Sequence, residues 1–249
     1  MSKTERFNIN TGTTRLAAVL HIPVAPATEA KTLIICHGFR GSKDGSGRAA
    51  FLADLVADNG FRVLRFDFTP ISPLTQQVTE LLAVIAFCRK SFGGEIILLG
   101  RSMGGSAALA CAAQDKKVAG LCLWSTPANL ATTFAEALGP YYQQLVHGET
   151  ISVSDEYGLL ELKPEFITDF TKYDLLAAAA EIKIPLLILH GDRDAIVPLS
   201  QAQLLYEVAR PPKHMEIVAG GDHHFTRQYR QVSLIILAWL KGTFVASGE

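Results

Sequence analysis

The sequence has 249 residues, 49% of them hydrophobic, which is enough apolar material for one large core in a single α/β domain over residues 1–249. Its 23 Lys and Arg against 24 Asp and Glu leave a formal charge of -1, so the total implies no polyanion-binding surface and no nucleic-acid partner. The opening residues are polar and lack the apolar core of a signal peptide, and no run reaches the roughly 20 apolar residues of a membrane span; we expect a cytoplasmic protein without a membrane partner.

Residues 6–22 alternate apolar and polar side chains and predict an antiparallel hairpin turning at Thr11-Gly12-Thr13. After a Pro/Ala-rich connection over 23–30, Thr32–Cys36 is a continuous apolar run, the pattern of a strand covered by helices on both faces. Strands at 62–66, 95–99 and 118–124 then alternate with helices at 49–58, 74–92 and 103–113, which predicts a mostly parallel central sheet of about eight strands. The alternation stops near Thr126 and resumes at Leu186–Leu189. A gap over 126–180 exceeds an ordinary connection and is expected to be a lid. It carries Phe134, Tyr141, Tyr142, Tyr157, Phe166 and Phe170, which either line a substrate cleft or form the lid's own core. Phe134, Tyr141 and Tyr142 are the candidate pocket residues. Acidic side chains outnumber basic ones there, which would disfavour an anionic substrate nearby. A helix at 200–208, a strand at 214–218 and a helix at 234–240 complete the chain.

Four cysteines, Cys36, Cys88, Cys111 and Cys122, lie in apolar runs without a C-x-x-C pair and read as small core residues. The chemistry lies in the loops. Gly100-Arg101-Ser102-Met103-Gly104 fits G-x-S-x-G between a strand and an Ala-rich helix, a turn that exposes the serine hydroxyl. A serine needs a base to take its proton and a carboxylate to orient that base. Both types follow later strands: Asp192 or Asp194 after Leu189, and His223 or His224 after Val218. These residues match no H-x-H or H-E-x-x-H metal spacing, and Gly38–Lys43 lacks P-loop spacing. Neither a metal nor a cofactor is implied.

The ordered set of His37-Gly38-Phe39, Gly100–Gly105, His190-Gly191-x-x-Asp194-x-x-Val197-Pro198 and Gly221-Asp222-His223 resembles the α/β-hydrolase family over nearly the whole chain, in particular feruloyl or cinnamoyl esterases and serine-aminopeptidase-like hydrolases. The resemblance implies an α/β-hydrolase fold with Ser102 as nucleophile, Asp194 as acid and His223 as base. The backbone amides of Phe39 and Met103 would form the oxyanion hole. His37 would position that loop. It further implies a carboxylic-ester hydrolase acting on a small-molecule ester with a small acyl, aryl or hydroxycinnamoyl group through an acyl-enzyme; an aminopeptidase-like hydrolase and a non-catalytic ligand-binding homologue are the alternatives. Where relatives carry an Arg-Gly-x-Gly loop, Thr69-Pro70-Ile71-Ser72-Pro73 leads almost at once into a helix, so substrate preference does not transfer with the fold.

Overall fold

A computed structural model describes residues 2–12, 14–25, 31–155 and 158–245. Thr13 of the expected turn, residues 26–30 of the Pro/Ala-rich connection, and Glu156 and Tyr157 lie outside them. Eight strands form the main sheet: β1 (Lys3–Asn10), β2 (Arg15–Ile22), β3 (Thr32–Cys36), β4 (Arg62–Phe66), β5 (Ile96–Arg101), β6 (Val118–Trp124), β9 (Leu186–Gly191) and β10 (Lys213–Val218). Their order is β1-β2-β4-β3-β5-β6-β9-β10. β1 and β2 pair antiparallel, as does β2 with β4, and every neighbour from β4 to β10 is parallel.

The period-2 geometry of a strand sorts its side chains onto two faces. In β3, Ile34 and Cys36 enter one core and Leu33 and Ile35 the other, and all four are buried. The first core is roofed by α2 (Leu74–Phe92), α3 (Met103–Gln114) and α8 (Leu199–Val208), the second by α1 (Arg48–Asp58) and α9 (Tyr229–Phe244). Helices on both faces explain why the central strands are apolar throughout rather than alternating. The helix expected at 234–240 is the interior of the longer α9; its first turn, Tyr229-Arg230-Gln231, is polar and its N-cap Gln228 makes no side-chain capping bond, so neither start signal was present.

The long insertion folds as α4 (Leu130–Leu138), α5 (Pro140–Val146), a hairpin of β7 (Ile151–Asp155) and β8 (Gly158–Leu162), and α6 (Pro164–Thr168). The expected stretch 126–180 overruns it: α7 (Leu175–Glu181) buries Leu175 and Ala179 in the first core beside α3 and α8 and belongs to the helical layer. The insertion is tied down by the Asp169 carboxylate, which accepts from the Thr75 N–H and hydroxyl at the start of α2, both at 2.7 Å.

Backbone strain collects at one edge. Among the described residues the non-glycines with positive φ are Arg40, Ser46, Ile71, Ser102, Ser125 and Phe225, and each lies in a loop leaving the carboxyl end of a strand. Such conformations each cost on the order of 1–3 kcal/mol and persist where surrounding structure over-determines them.

Candidate active site

Ser102 is the turn between β5 and α3, with φ 52° and ψ -128°. Its N–H donates to Trp124 O at 2.9 Å, pinning the elbow to the end of β6. The neighbouring glycines are required by close approach. A Cβ on Gly104 would overlap the backbone carbonyls of His37 and Cys36, and one on Gly105 would overlap the Thr126 side chain. A Cβ on Gly38 would stand 3.0 Å from the Ser102 Cβ and 3.6 Å from its Oγ, so the loop after β3 passes directly beside the serine.

That loop is fixed by His37. Its Nδ1–H donates to Gly38 O at 2.8 Å, and its Nε2 accepts from the Phe68 N–H at 3.0 Å. This pattern is that of the neutral ring, and burial lowers the His37 pKa in agreement with it. Met103 is the first residue of α3, so its N–H is one of the helix's unpaired amides, and the Phe39 N–H makes no backbone bond among the described residues. Both residues line the cleft.

The two ambiguous pairs separate in space. Asp194 is buried, and its Oδ2 accepts from His223 Nδ1 at 2.8 Å while its Oδ1 accepts from the N–H groups of Ile196 and Val197, both at 2.9 Å. Burial works against the Asp194 charge, but the His223 hydrogen bond, that ring's charge and the two amides outweigh it and hold the carboxyl below its usual range. Asp192 is exposed and accepts from the Gly220 N–H at 2.6 Å, stapling the loops after β9 and β10 together. With its Nδ1–H given to Asp194, His223 keeps Nε2 as a free acceptor, and it lines the same cleft as Ser102. His224 instead sits ring to ring with His223 at 5.1 Å, and its Nδ1 has no hydrogen-bond partner among the described residues.

Sequence reasoning missed the supports of this loop pair. A Cβ on Gly191 would overlap Gly221 O, so the loops carrying Asp194 and His223 touch through two glycines. Buried His190 holds the turn from within, its Nε2 2.8 Å from Val197 O and 3.4 Å from Asp194 Oδ2. The Gly-Gly at 220–221 was the available signal.

The cleft encloses about 300 Å³. Its apolar wall comes from the insertion, with Leu130, Phe134, Ala137, Leu138 and Leu160. Of the three candidate pocket residues, Phe134 stands on this wall and Tyr141 and Tyr142 do not: Tyr141 is exposed on α5 and Tyr142 packs against the core cluster. Phe134 also belongs to an aromatic cluster with Phe39, Phe166 and Phe170, centroids 5.1–5.3 Å apart, so the insertion's own core rests on the Phe39 loop. The acidic residues of the insertion are absent from the described cleft wall, whose charged side chains are Arg40 and Arg101 beside the two histidines. The expected bias against anions therefore does not reach the cleft.

A strained serine, a histidine and a buried carboxylate at the carboxyl edge of such a sheet define the α/β-hydrolase class. The alpha/beta hydrolase family model matches residues 33–233, and the chain belongs to that family. It is similar in structure to Est1E from Butyrivibrio proteoclasticus, with a TM-score of 0.80 at 20% identity over 96% of this chain and 98% of that one. Est1E with ferulic acid bound gives 0.79 at 19%, covering 95% and 98%. The esterase domain of a Rhodothermus marinus protein gives 0.73 at 24%, covering 97% and 98%. In sequence it is 24% identical to the mitochondrial palmitoyl-protein thioesterase ABHD10 of Mus musculus over 82% of this chain and 72% of the mouse protein.

Proposed function

We propose that the chain is a serine hydrolase of carboxylic esters that works through an acyl-enzyme. The observation that carries this reading is the Asp194–His223 hydrogen bond, which leaves His223 Nε2 as the acceptor on the wall that also carries strained Ser102. In the first half-reaction Ser102 Oγ attacks the ester carbonyl carbon as His223 Nε2 takes its proton. The N–H groups of Phe39 and Met103 receive the developing oxyanion, and donors fixed in advance need no reorganisation as charge appears. His223 then gives the proton to the departing alkoxide. In the second half a water loses its proton to His223 as it attacks the acyl carbon, and His223 returns that proton to Ser102 Oγ as the carboxylic acid departs.

The apolar wall suits a small acyl or aryl group, of which the ferulic acid bound by Est1E is one kind. Thioesters use the same steps, and the mouse relative is named for one. The aminopeptidase-like alternative needs an acidic group to hold the substrate amine, and the described cleft wall offers none. A panel of acyl esters of graded length, hydroxycinnamate esters, acyl thioesters and aminoacyl arylamides tests the reading, with Ser102→Ala as control. Ester turnover abolished by that substitution is expected. Turnover of arylamides alone, or ester turnover surviving in Ser102→Ala, overturns it.

A further inference from the structure

Behind the cleft lies a second, smaller chamber of about 50 Å³. At roughly 10–15 Å³ for each water-sized group, it has room for a carboxylate and the carbon that bears it. It shares Gly41, Arg101 and His224 with the cleft, so the two spaces meet at those residues. Its remaining wall is the start of α1, the strand ends at Ile35, Leu99 and Trp124, and the loop through Lys43.

Three independent features make it a place for negative charge. Trp124 is only 6% exposed, and its Nε1–H, a donor with no acceptor role, has no partner among the described residues. A buried donor left in that state costs on the order of 1–3 kcal/mol, so it is a group expected to have a task. The first turn of α1 lines the chamber through Arg48 and Ala49 and carries no acidic residue, so the positive end of the helix dipole adds to the field there. Finally, the charged side chains of the described wall are Lys43, Arg48 and Arg101, with no Asp or Glu among them; Lys43 is ion-paired with Asp67 at 2.8 Å, so the positive field rests on Arg48 and Arg101. Arg101 is needed only for its charge. Burial first, and then the charges of Arg101 and His223, push the His224 imidazole down to about 4, so His224 stands neutral beside these cations.

We infer that the chamber binds a carboxylate carried by the ester substrate, held by the Trp124 indole N–H, the first turn of α1 and the charges of Arg48 and Arg101. The substrates would then be half-esters of short dicarboxylic acids, or acyl esters of hydroxy acids, with the carboxylate a few bonds from the scissile carbonyl. This rests on the ester-hydrolase reading for its catalytic part, whereas the carboxylate site itself does not.

The test compares kcat/KM for aryl half-esters of succinate and glutarate, and for acetyl esters of hydroxy acids, with neutral esters of matched length. The wild-type protein should favour at least one carboxylate series by about tenfold or more, a preference that shrinks as salt rises. Trp124→Phe keeps a ring against Phe225 but removes the N–H and should lower that preference about tenfold, the scale of one hydrogen bond to a charged acceptor. Arg48→Gln should lower it too. A loss of rate shared equally by charged and neutral esters means the residues are merely structural and overturns the inference, as does a wild-type preference near one. Calorimetric titration of Ser102→Ala with succinate and acetate separates the two levels. If no ester is turned over, binding of succinate that Trp124→Phe weakens still upholds the carboxylate site, and no binding overturns it. Competitive inhibition by acetate without preference for charged esters identifies a free-anion site and overturns the substrate assignment.

Discussion

Asp194→Asn tests the proposed mechanism at its most determined atom. The native carboxylate has two accepting oxygens: Oδ1 takes two amide N–H groups at 2.9 Å, and Oδ2 takes His223 Nδ1 at 2.8 Å. An asparagine has one accepting oxygen and one donating NH2. Turning the NH2 toward Ile196 and Val197 would strand two buried amides at about 1–3 kcal/mol each, so the oxygen stays with them and the NH2 faces the histidine. His223 Nδ1 must then accept, its proton moves to Nε2, and the ring cannot take a proton from Ser102. A penalty of about 2–6 kcal/mol leaves roughly one molecule in 30 to one in 25,000 in the productive tautomer. Loss of the negative partner of the imidazolium lowers the rate further. The combined fall in kcat/KM, measured with an aryl acetate, should be about 10³–10⁵, which brackets the roughly 10⁴ known for this exchange in serine proteases. Both amide bonds survive, so urea denaturation should show a loss of only about 1–2 kcal/mol. Asp192→Asn, altering an exposed loop staple, should keep activity within about threefold. A folded Asp194→Asn protein within tenfold of wild type refutes the tautomer argument and removes Asp194 from the mechanism.

The other expectations concern the serine, its neighbouring histidines and the packing of the elbow. Ser102→Ala should lower kcat/KM for any turned-over ester by about 10⁴–10⁶, and His223→Ala by a similar factor while His224→Ala falls far less; equal effects of the two histidines would remove the assignment of the base. Gly105→Ala drives a Cβ into Thr126 Oγ1 and Cγ2 and should destabilise by about 1–3 kcal/mol in urea titrations. Thr126→Ala removes those two atoms, so the double variant should recover at least about 1 kcal/mol of coupling, and strictly additive values would show that the contact is not the cause. The His224 imidazole is held at about 4 in the fold, by burial first, against roughly 6.5 in the unfolded chain. Between these values only the unfolded state takes up the proton, so stability falls as pH drops from about 6.5 to 4. His224→Gln should flatten that fall in urea midpoints at pH 7 and 5, and unchanged slopes would contradict it.

What the sequence made legible follows from how many constraints act on each residue. Continuous apolar runs such as Leu33-Ile34-Ile35-Cys36 admit few solutions other than a strand roofed on both faces, and their alternation with helices made a mostly parallel sheet legible, though not its strand order. The G-x-S-x-G glycines were legible because backbone passes within a Cβ's reach of each of Gly100, Gly104 and Gly105. The choice between Asp192 and Asp194 was not, because both follow the same strand. It turns on contacts distant in sequence, Gly191 against Gly221 and His223 Nδ1 on Asp194 Oδ2, while the local amides of Ile196 and Val197 hold the other carboxylate oxygen. Tyr141 and Tyr142 failed as pocket residues for a related reason. They stand on a helix of seven residues, too short for periodicity to reveal its buried face, whereas Phe134 on the longer α4 is fixed by its ring contacts.

The same distinction separates the chemistry of the edge from its specificity. Ser102, His37 and Asp194 are each held by backbone partners, Trp124 O, Gly38 O with the Phe68 N–H, and two amides, so their positions depend on the sheet and not on which side chains surround them. The cleft wall is built from side chains of the insertion resting on Phe39 through ring contacts, where exchanging one apolar group for another alters shape without disturbing the sheet. Trp124 belongs to both systems. Its carbonyl holds the Ser102 elbow, and its side chain, which reads in sequence as one more core residue of β6, lines the chamber behind the cleft and has an indole N–H without a partner among the described residues. If the chamber holds the proposed carboxylate, substituting the ring changes what it binds while the elbow's backbone bond stays in place, so position 124 would be where substrate choice is altered separately from catalysis.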